Sequence, residues 1–309
     1  MTGLELSRCY YEEAFLPECR RQLPAALGHF AAGLVGEGSE CFGFDDELSR
    51  DHSFGPRLCI WLTGEDCGRF ARDLNALWRG LPDTFMGCRR SGPAANEGQR
   101  SGVFSVDGFY RGLLGVPGVP ASPLRWLAVE EPRLAAAVNG AVYTDGPGAF
   151  TAVRAGLLAY FPPDIIRYHL ARHAALAAQT GQYNLLRACR RGETLAARDI
   201  KARFIQSAIA MVFLLNRTYR PFYKWAPRAM RALPLLGGEM YDKLLALADT
   251  RDAEGQIALV EAVCARLLTE LRAQGYTAGG SDYLMDHLPE IMEGIEAPEI
   301  RERGISLAQ

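Results

Sequence analysis

The stretch GEGSECFGFDDELSRDHSFGPRLCIWL, residues 36–62, decides the fold of this chain. It opens on a Gly-Glu-Gly-Ser segment, passes an acidic cluster at residues 45–47, and ends in an apolar run at residues 58–62. Glycines let a backbone turn tightly and approach a ligand, and a short apolar run between turn residues is typical of a strand. The pattern predicts a phosphate-binding turn that leads into a strand carrying a carboxylate for a metal ion.

The residues on either side of this stretch predict both helices and strands. Apolar residues recur at nearly helical spacing across residues 4–35, where Pro17 and Pro24 divide the run into two helices. Residues 65–81 predict a helix and residues 103–106 a short strand. Asp107 then follows, at a position suited to the cap of the next helix.

From about residue 150 onward, the pattern becomes helical and strand signals all but disappear. This shift predicts an α/β (α+β) domain over residues 1–149 and an all-α helical-bundle domain over residues 150–309.

The composition is that of an ordinary globular protein, with 49% hydrophobic residues, 23% charged residues and a net charge of −2 over 309 residues. The longest apolar run lies near residues 208–215, well short of the about 20 residues that a membrane span needs. Eight cysteines include no C-x-x-C pair, which disfavours a structural zinc site. We therefore expect a soluble, cytoplasmic protein with reduced thiols and no membrane contact.

Gly38-Ser39, followed by eleven residues and then Asp51, resembles the motif of the nucleotidyltransferase superfamily typified by DNA polymerase beta. The segments GSECFGFDDELSRDHSFG (38–55) and FLLNRTYRPFYKW (213–225) are similar to a bacterial branch that has a C-terminal helical domain. The resemblance implies a nucleotidyltransferase-like domain with a mixed sheet, followed by a helical domain that binds the acceptor substrate.

The resemblance also implies a reaction and a set of ligands. Gly38 and Ser39 would contact the phosphates of ATP or another nucleoside triphosphate, and Asp51 would hold Mg²⁺. A nucleoside monophosphate, AMP if the donor is ATP, would pass to a hydroxyl or amine of a small molecule, through positioning and charge neutralisation. Arg50 either contacts phosphate or pairs with Asp46 or Glu47.

Ser53 departs from the family pattern, because it stands where the second metal-binding carboxylate is expected. A neutral hydroxyl is a poor Mg²⁺ ligand, so Asp51 would need another acid from among Glu40, Asp45, Asp46 and Asp107. Asp107 is the candidate third carboxylate of the site, and its alternative is a plain helix cap. The second hypothesis is a catalytically degenerate member that binds a nucleotide or a partner.

Residues 187–231 hold eleven basic residues against two acidic ones, a net charge of +9. Such a region attracts anions, or its charges are merely solvated and neutralised by the acidic C-terminal region. Within it, the Pro-broken junction at Arg220-Pro221 predicts nucleotide contacts from Asn216, Tyr219, Tyr223 and Lys224, with Lys224 reaching the phosphates. Phe222 and Trp225 are assigned to the core. Nucleic acid is disfavoured as a partner because exposed aromatics do not interleave with the basic residues.

Overall fold

The computed structural model describes residues 1–51, 54–90 and 100–305, and residues 50 and 51 by their backbone alone. The chain forms two compact units, one of residues 1–120 and 129–159 and the other of residues 121–128 and 160–309. The domain boundary predicted at residues 149 and 150 stays a prediction.

The helices of the described residues fall into three types. In chain order the α-helices are α1 (Gly3–Cys9), α2 (Leu16–Gln22), α3 (Gly64–Gly80), α4 (Val106–Leu114), α5 (Pro123–Ala128), α6 (Glu131–Val138), α7 (Ala149–Leu158), α8 (Pro163–Ala177), α9 (Leu186–Arg190), α10 (Thr194–Leu215), α11 (Ala226–Arg231), α12 (Gly237–Asp249), α13 (Ala253–Ala273), α14 (Leu288–Glu293) and α15 (Pro298–Arg301). The π-helical segments are Tyr10–Phe15 and Ala178–Leu185, and the 3₁₀ segments are Pro24–Ala26, Glu40–Phe42, Leu48–Asp51 and Leu284–His287.

A mixed four-stranded sheet organises the first unit. The strands are β1 (Phe30–Leu34), β2 (Cys59–Leu62), β3 (Thr84–Phe85), β4 (Cys88–Arg89), β5 (Gly102–Ser105) and β6 (Ala141–Asp145). The sheet runs in the order β5-β2-β1-β6, and β3 and β4 form a separate hairpin. Strand β1 is antiparallel to both β2 and β6, whereas β2 and β5 are parallel. The α+β class predicted for this part of the chain is confirmed.

Both faces of the sheet are covered, which explains why residues 58–62 are apolar without alternation. On one face, Ile60 and Leu62 join a core that includes Phe15, Leu74 and other residues of the N-terminal helices and α3. On the other face, the Trp61 ring stacks on Phe150 of α7 at a centroid distance of 3.9 Å. The predictions of a strand here and of the helix α3 are confirmed.

The predicted helix over residues 4–35 is wrong in its last part. Helical structure extends from Gly3 to Gln22 through the π-helical segment, but residues 30–34 form strand β1 in the middle of the sheet. All five β1 residues are buried, so their sequence FAAGL shows no alternation of apolar and polar positions. Pairing with strands on both sides, rather than local propensity, makes this segment a strand.

The second unit is helical, as the sequence predicts: its described residues from 160 to 305 form helices and no strand. Helix α8 packs on α10 and on the following π-helical segment. The C-terminal part of α10 is buried continuously from Ser207 to Leu215. Within the ranges described, every helix is too short or too polar to cross a membrane.

Candidate functional site

A glycine turn follows the central strand β1. Gly36 has φ +127° and Gly38 has φ +137°, values that disfavour any residue with a side chain. Ser39 then begins the one-turn 3₁₀ helix Glu40–Phe42, and its hydroxyl makes no capping hydrogen bond within the described residues. We call Gly36, Gly38 and Ser39 the glycine turn. Its backbone can approach a ligand closely, and its hydroxyl has capacity to bind one.

A buried ion pair lies directly beside the glycine turn. Arg57 is only 4% exposed, and its guanidinium contacts the carboxylate of Glu40, whose side chain is 13% exposed. A methyl group at Gly38 would come within 2.6 Å of both Glu40 carboxylate oxygens, so this carboxylate lies against the turn. The sequence interpretation missed Arg57, although an arginine at the start of the apolar run that becomes β2 was a signal of a buried, paired charge.

The described acids near the turn are engaged in bonds of their own. Asp45 accepts a hydrogen bond of 2.7 Å from the Gly3 backbone N–H. Asp46 accepts from the backbone N–H and the hydroxyl of Ser49, each at 3.0 Å. With Glu40 bound to Arg57, each of these three candidate metal ligands has a structural partner.

The predicted strand that carries Asp51 is not formed. Asp51 ends the 3₁₀ segment Leu48–Asp51, and β2 begins only at Cys59. Of the described residues between the two segments, residue 55 is a bend and residues 54 and 56–58 belong to no helix or strand. The side chains of Arg50 and Asp51, together with Ser53, lie outside the described residues, and their predicted roles stay predictions.

Asp107 and the loop that contains Asp51 lie at opposite ends of the strands of the sheet. That loop leaves from Leu34 and returns at Cys59, whereas β5 runs parallel to β2 and places Ser105 beside Leu62. Asp107 is exposed in the first turn of α4, and the N-cap is Ser105, whose hydroxyl accepts from the Gly108 N–H at 3.0 Å. The predicted cap role is therefore wrong by two residues, and the structure does not bring Asp107 to the glycine turn.

Magnesium needs several oxygen ligands, at least one of them anionic. Among the described residues, no group of three or more His, Cys, Asp or Glu side chains is placed to hold a metal ion. Glu40, Asp45 and Asp46 are engaged by Arg57, Gly3 and Ser49 respectively, and Glu37 pairs with Arg100 at 3.6 Å. The described residues alone thus do not make up a magnesium site, and we derive no chemical step through one.

Asn216 and Tyr219, both predicted to contact nucleotide, have structural partners in the second unit. The Asn216 amide donates to the carbonyls of Val212 (2.7 Å) and Leu235 (2.9 Å) and accepts from the Leu235 N–H (2.9 Å). Tyr219 is 6% exposed and its ring lies 4.7 Å from that of Tyr160. Both side chains hold the segment that follows α10.

Tyr223 and Lys224 remain on the surface. Tyr223 is 66% exposed, and the Lys224 ammonium lies 5.0 Å from the centre of the Trp225 ring. Phe222 is 49% exposed and its ring contacts that of Tyr223 at 4.5 Å, so its assignment to the core is wrong. Aromatic residues and a lysine are therefore exposed next to one another here.

Part of the positive charge of residues 187–231 stabilises helices. Lys201 donates to the carbonyls of Ala248 and Thr250, each at 3.0 Å, at the C-terminal end of α12. Arg203 pairs with Asp199 one turn earlier on α10 at 2.8 Å. These two cations therefore have structural partners, although neither contact changes the net charge of +9, which already counts Asp199.

Two histidines of α8, one turn apart, were missed by the sequence interpretation. Burial, with Arg172 and Arg220 nearby, lowers the pKa of His169 to about 4. Burial, Arg220 and His169 lower the pKa of His173 well below its usual value. The Nδ1 atom of His173 is buried without a hydrogen-bond partner among the described residues. Both imidazoles are therefore neutral near pH 7.

A surface cavity of about 510 Å³ lies in the first unit between α2 and α3. Its lining includes Pro17, Leu77 and Phe85, and it shares no residue with the glycine turn. Because its lining residues are separate from the glycine turn, the cavity is not linked to the predicted phosphate site.

Comparison with known families gives a match over part of the chain. Residues 126–226, about a third of the chain, match the model of a family described as a domain of unknown function (DUF4037). The matched segment includes Tyr219, Tyr223 and Lys224. Searches of curated proteins and of solved structures gave no match. The match supports a relationship to this family over that segment and specifies no activity.

Proposed function

We propose that this chain is a nucleotidyltransferase-like protein that binds a nucleoside triphosphate at the glycine turn after β1. The activity we propose is transfer of a nucleoside monophosphate, from ATP or another nucleotide, to a hydroxyl or amine of a small molecule. The fold would then be a nucleotidyltransferase-like variant of the mixed α+β unit. The proposal includes Mg²⁺, which Asp51 would bind.

The observation that carries the proposal is the conformation of the glycine turn. Two glycines with positive φ, Gly36 and Gly38, lie between the end of β1 and Ser39, beside a central strand of the mixed sheet. Phosphate sites are commonly built from such backbone, because N–H groups can face an anion without interference from Cβ atoms. The Gly36 N–H is bonded to Asn139, so the proposal concerns the N–H groups of residues 37–39. The buried Arg57 places a cation within the same loop.

Titration calorimetry with ATP in the presence of Mg²⁺ tests the proposal. We expect wild type to bind, and Gly38→Ala to lose at least about tenfold in affinity, because the added methyl group would stand in the space beside the turn that a phosphate would enter, and the residue has φ +137°. Gly43→Ala is the matched control: Gly43 also has positive φ, and a methyl group there meets nothing within 4 Å. Equal affinities for wild type and Gly38→Ala, or no nucleotide binding by wild type, would exclude this site.

A second candidate function is nucleotide binding without transfer. The sequence has Ser53 at the second carboxylate position, and Glu40, Asp45 and Asp46 are engaged elsewhere. Such a protein would bind the triphosphate at the same turn but would not cleave it.

Release of pyrophosphate separates the two candidates. Wild type and Ser53→Asp are incubated with ATP, Mg²⁺ and a panel of small hydroxyl and amine acceptors. Release by wild type supports the transferase. Binding by both proteins with release by Ser53→Asp alone supports the degenerate member.

A further inference from the structure

The Arg57–Glu40 ion pair occupies the position where a phosphate group would meet the glycine turn. Both oxygens of the Glu40 carboxylate lie against the open side of Gly38, where any other residue would have a Cβ atom. The same carboxylate binds the guanidinium of Arg57. An internal anion therefore already lies beside the Gly38 backbone and binds an arginine, the two partners that a phosphate would have there.

Arg57 is suited to phosphate by its chemistry and by its position. A guanidinium binds phosphate and carboxylate oxygens with the same paired geometry, so one anion can replace the other. The side chain is almost fully buried, and a buried charge must keep a partner of opposite sign. Arg57 can therefore leave Glu40 only when another anion takes its place.

Glu40 has the freedom that such an exchange requires. It lies in a one-turn 3₁₀ segment between Gly38 (φ +137°) and Gly43 (φ +68°). Its side chain is mostly buried but is 13% exposed, so part of it already reaches water. Rotation of this side chain into water would leave Arg57 and the Gly38 backbone open to a ligand.

We propose that Arg57 is the phosphate-binding cation of the glycine turn, and that Glu40 blocks it until a triphosphate displaces the carboxylate. This inference depends on the proposed nucleotide site and adds to it a phosphate-binding residue, Arg57, and a carboxylate that competes with the phosphate, Glu40. The affinity for a triphosphate is then set by competition between two anions for one guanidinium. Removing the internal anion should strengthen binding, which is the reverse of what loss of an ordinary site residue does.

Four proteins test the inference by titration calorimetry with ATP and with inorganic tripolyphosphate at one salt concentration. They are wild type, Glu40→Gln, the double variant Glu40→Gln/Arg57→Met, and Glu47→Gln. The double variant removes both charges of the pair and so avoids an unpaired buried ion. Glu47→Gln removes the same charge from an exposed position in the same loop, which controls for the general electrostatic effect.

We expect Glu40→Gln to bind both ligands about tenfold more tightly than wild type, Glu47→Gln to match wild type, and the double variant to bind neither. Weaker or unchanged binding by Glu40→Gln, with ATP still bound by wild type, overturns the inference and leaves the proposed function standing. Unchanged binding by the double variant also overturns it. If none of the four proteins binds either ligand, the inference and the proposed function both fail. Circular dichroism of each variant confirms that it is folded.

Discussion

Asn139 and Gly36 exchange two hydrogen bonds although 103 residues separate them in the chain. The Gly36 N–H donates to Asn139 Oδ1 at 3.0 Å, and Asn139 Nδ2 donates to the Gly36 carbonyl at 2.8 Å. One side-chain amide thus continues the pairing of β1 as far as Gly36, two residues beyond the strand. This contact fixes where the glycine turn begins.

Asn139→Ala should loosen the glycine turn and lower the free energy of unfolding by about 1–2 kcal/mol, because both backbone groups of Gly36 lose their partner. Amide hydrogen exchange at Gly36 should become faster, and the urea midpoint should fall. Asn75→Ala is the control, since in the part of the chain that the structure describes the Asn75 amide bonds to the Ala71 carbonyl of its own helix and not to the turn. Exchange at Gly36 that is the same in wild type and Asn139→Ala would show that the side chain does not hold the turn.

Asn216→Ala separates a structural role from a nucleotide-binding one. The side chain makes three hydrogen bonds, one to Val212 within α10 and two that join the end of α10 to Leu235. We expect a loss of about 2 kcal/mol in stability, measured by urea unfolding, with the affinity of the folded protein for ATP unchanged. Tyr223→Ala is the comparison: its side chain is exposed, so it should leave stability unchanged. A lower ATP affinity for Asn216→Ala at normal stability would restore the role that the sequence predicts.

His169 should make the protein less stable as the pH falls. Its pKa is lowered to about 4 in the folded protein, whereas the unfolded value is about 6.5. The unfolded chain therefore binds more protons between these two values, and stability is lost as the pH falls below about 6.5. For His169 alone the loss at pH 5 is about 2 kcal/mol.

Urea midpoints at pH 7.5 and pH 5 measure this effect in wild type, His169→Gln and His29→Gln. The drop between the two pH values should shrink in His169→Gln, because the glutamine does not titrate. It should remain in His29→Gln, whose imidazole is partly exposed and contacts Asp66. An equal drop in wild type and His169→Gln would contradict the assignment of a neutral, desolvated imidazole.

The sequence predicted the elements whose residues carry a periodic or compositional signal. Strand β2 was found as an apolar run between turn residues, and α3 as an amphipathic segment that ends before Pro82. Strand β1 was missed because a run of five consecutive buried residues is compatible with a buried helix and with a central strand. Only the pairing of these residues with β2 and β6 shows that they form a strand.

The candidate site was predicted less completely, because it depends on contacts between distant residues. The turn at Gly38 and Ser39 was predicted from local composition and is present, whereas its contact with phosphate stays a prediction. The partner of Glu40 is Arg57, and nothing in a spacing of seventeen residues indicates that the loop folds back to join them. Asp107 follows a strand as expected. Only the parallel pairing of β5 with β2 shows that it lies at the end of the strands opposite to the glycine turn.

The loop from residue 35 to residue 58 begins and ends on neighbouring strands, with Gly33 paired to Cys59. The sheet therefore fixes both ends of the loop close together, whatever lies between them. Doubling the length of such a closed loop costs only about 0.6 kcal/mol in chain entropy. Chain entropy therefore does little to limit the length of this loop, and the limit comes from the contacts that its residues make, such as the bond of Asp45 to Gly3 and the buried Arg57–Glu40 pair.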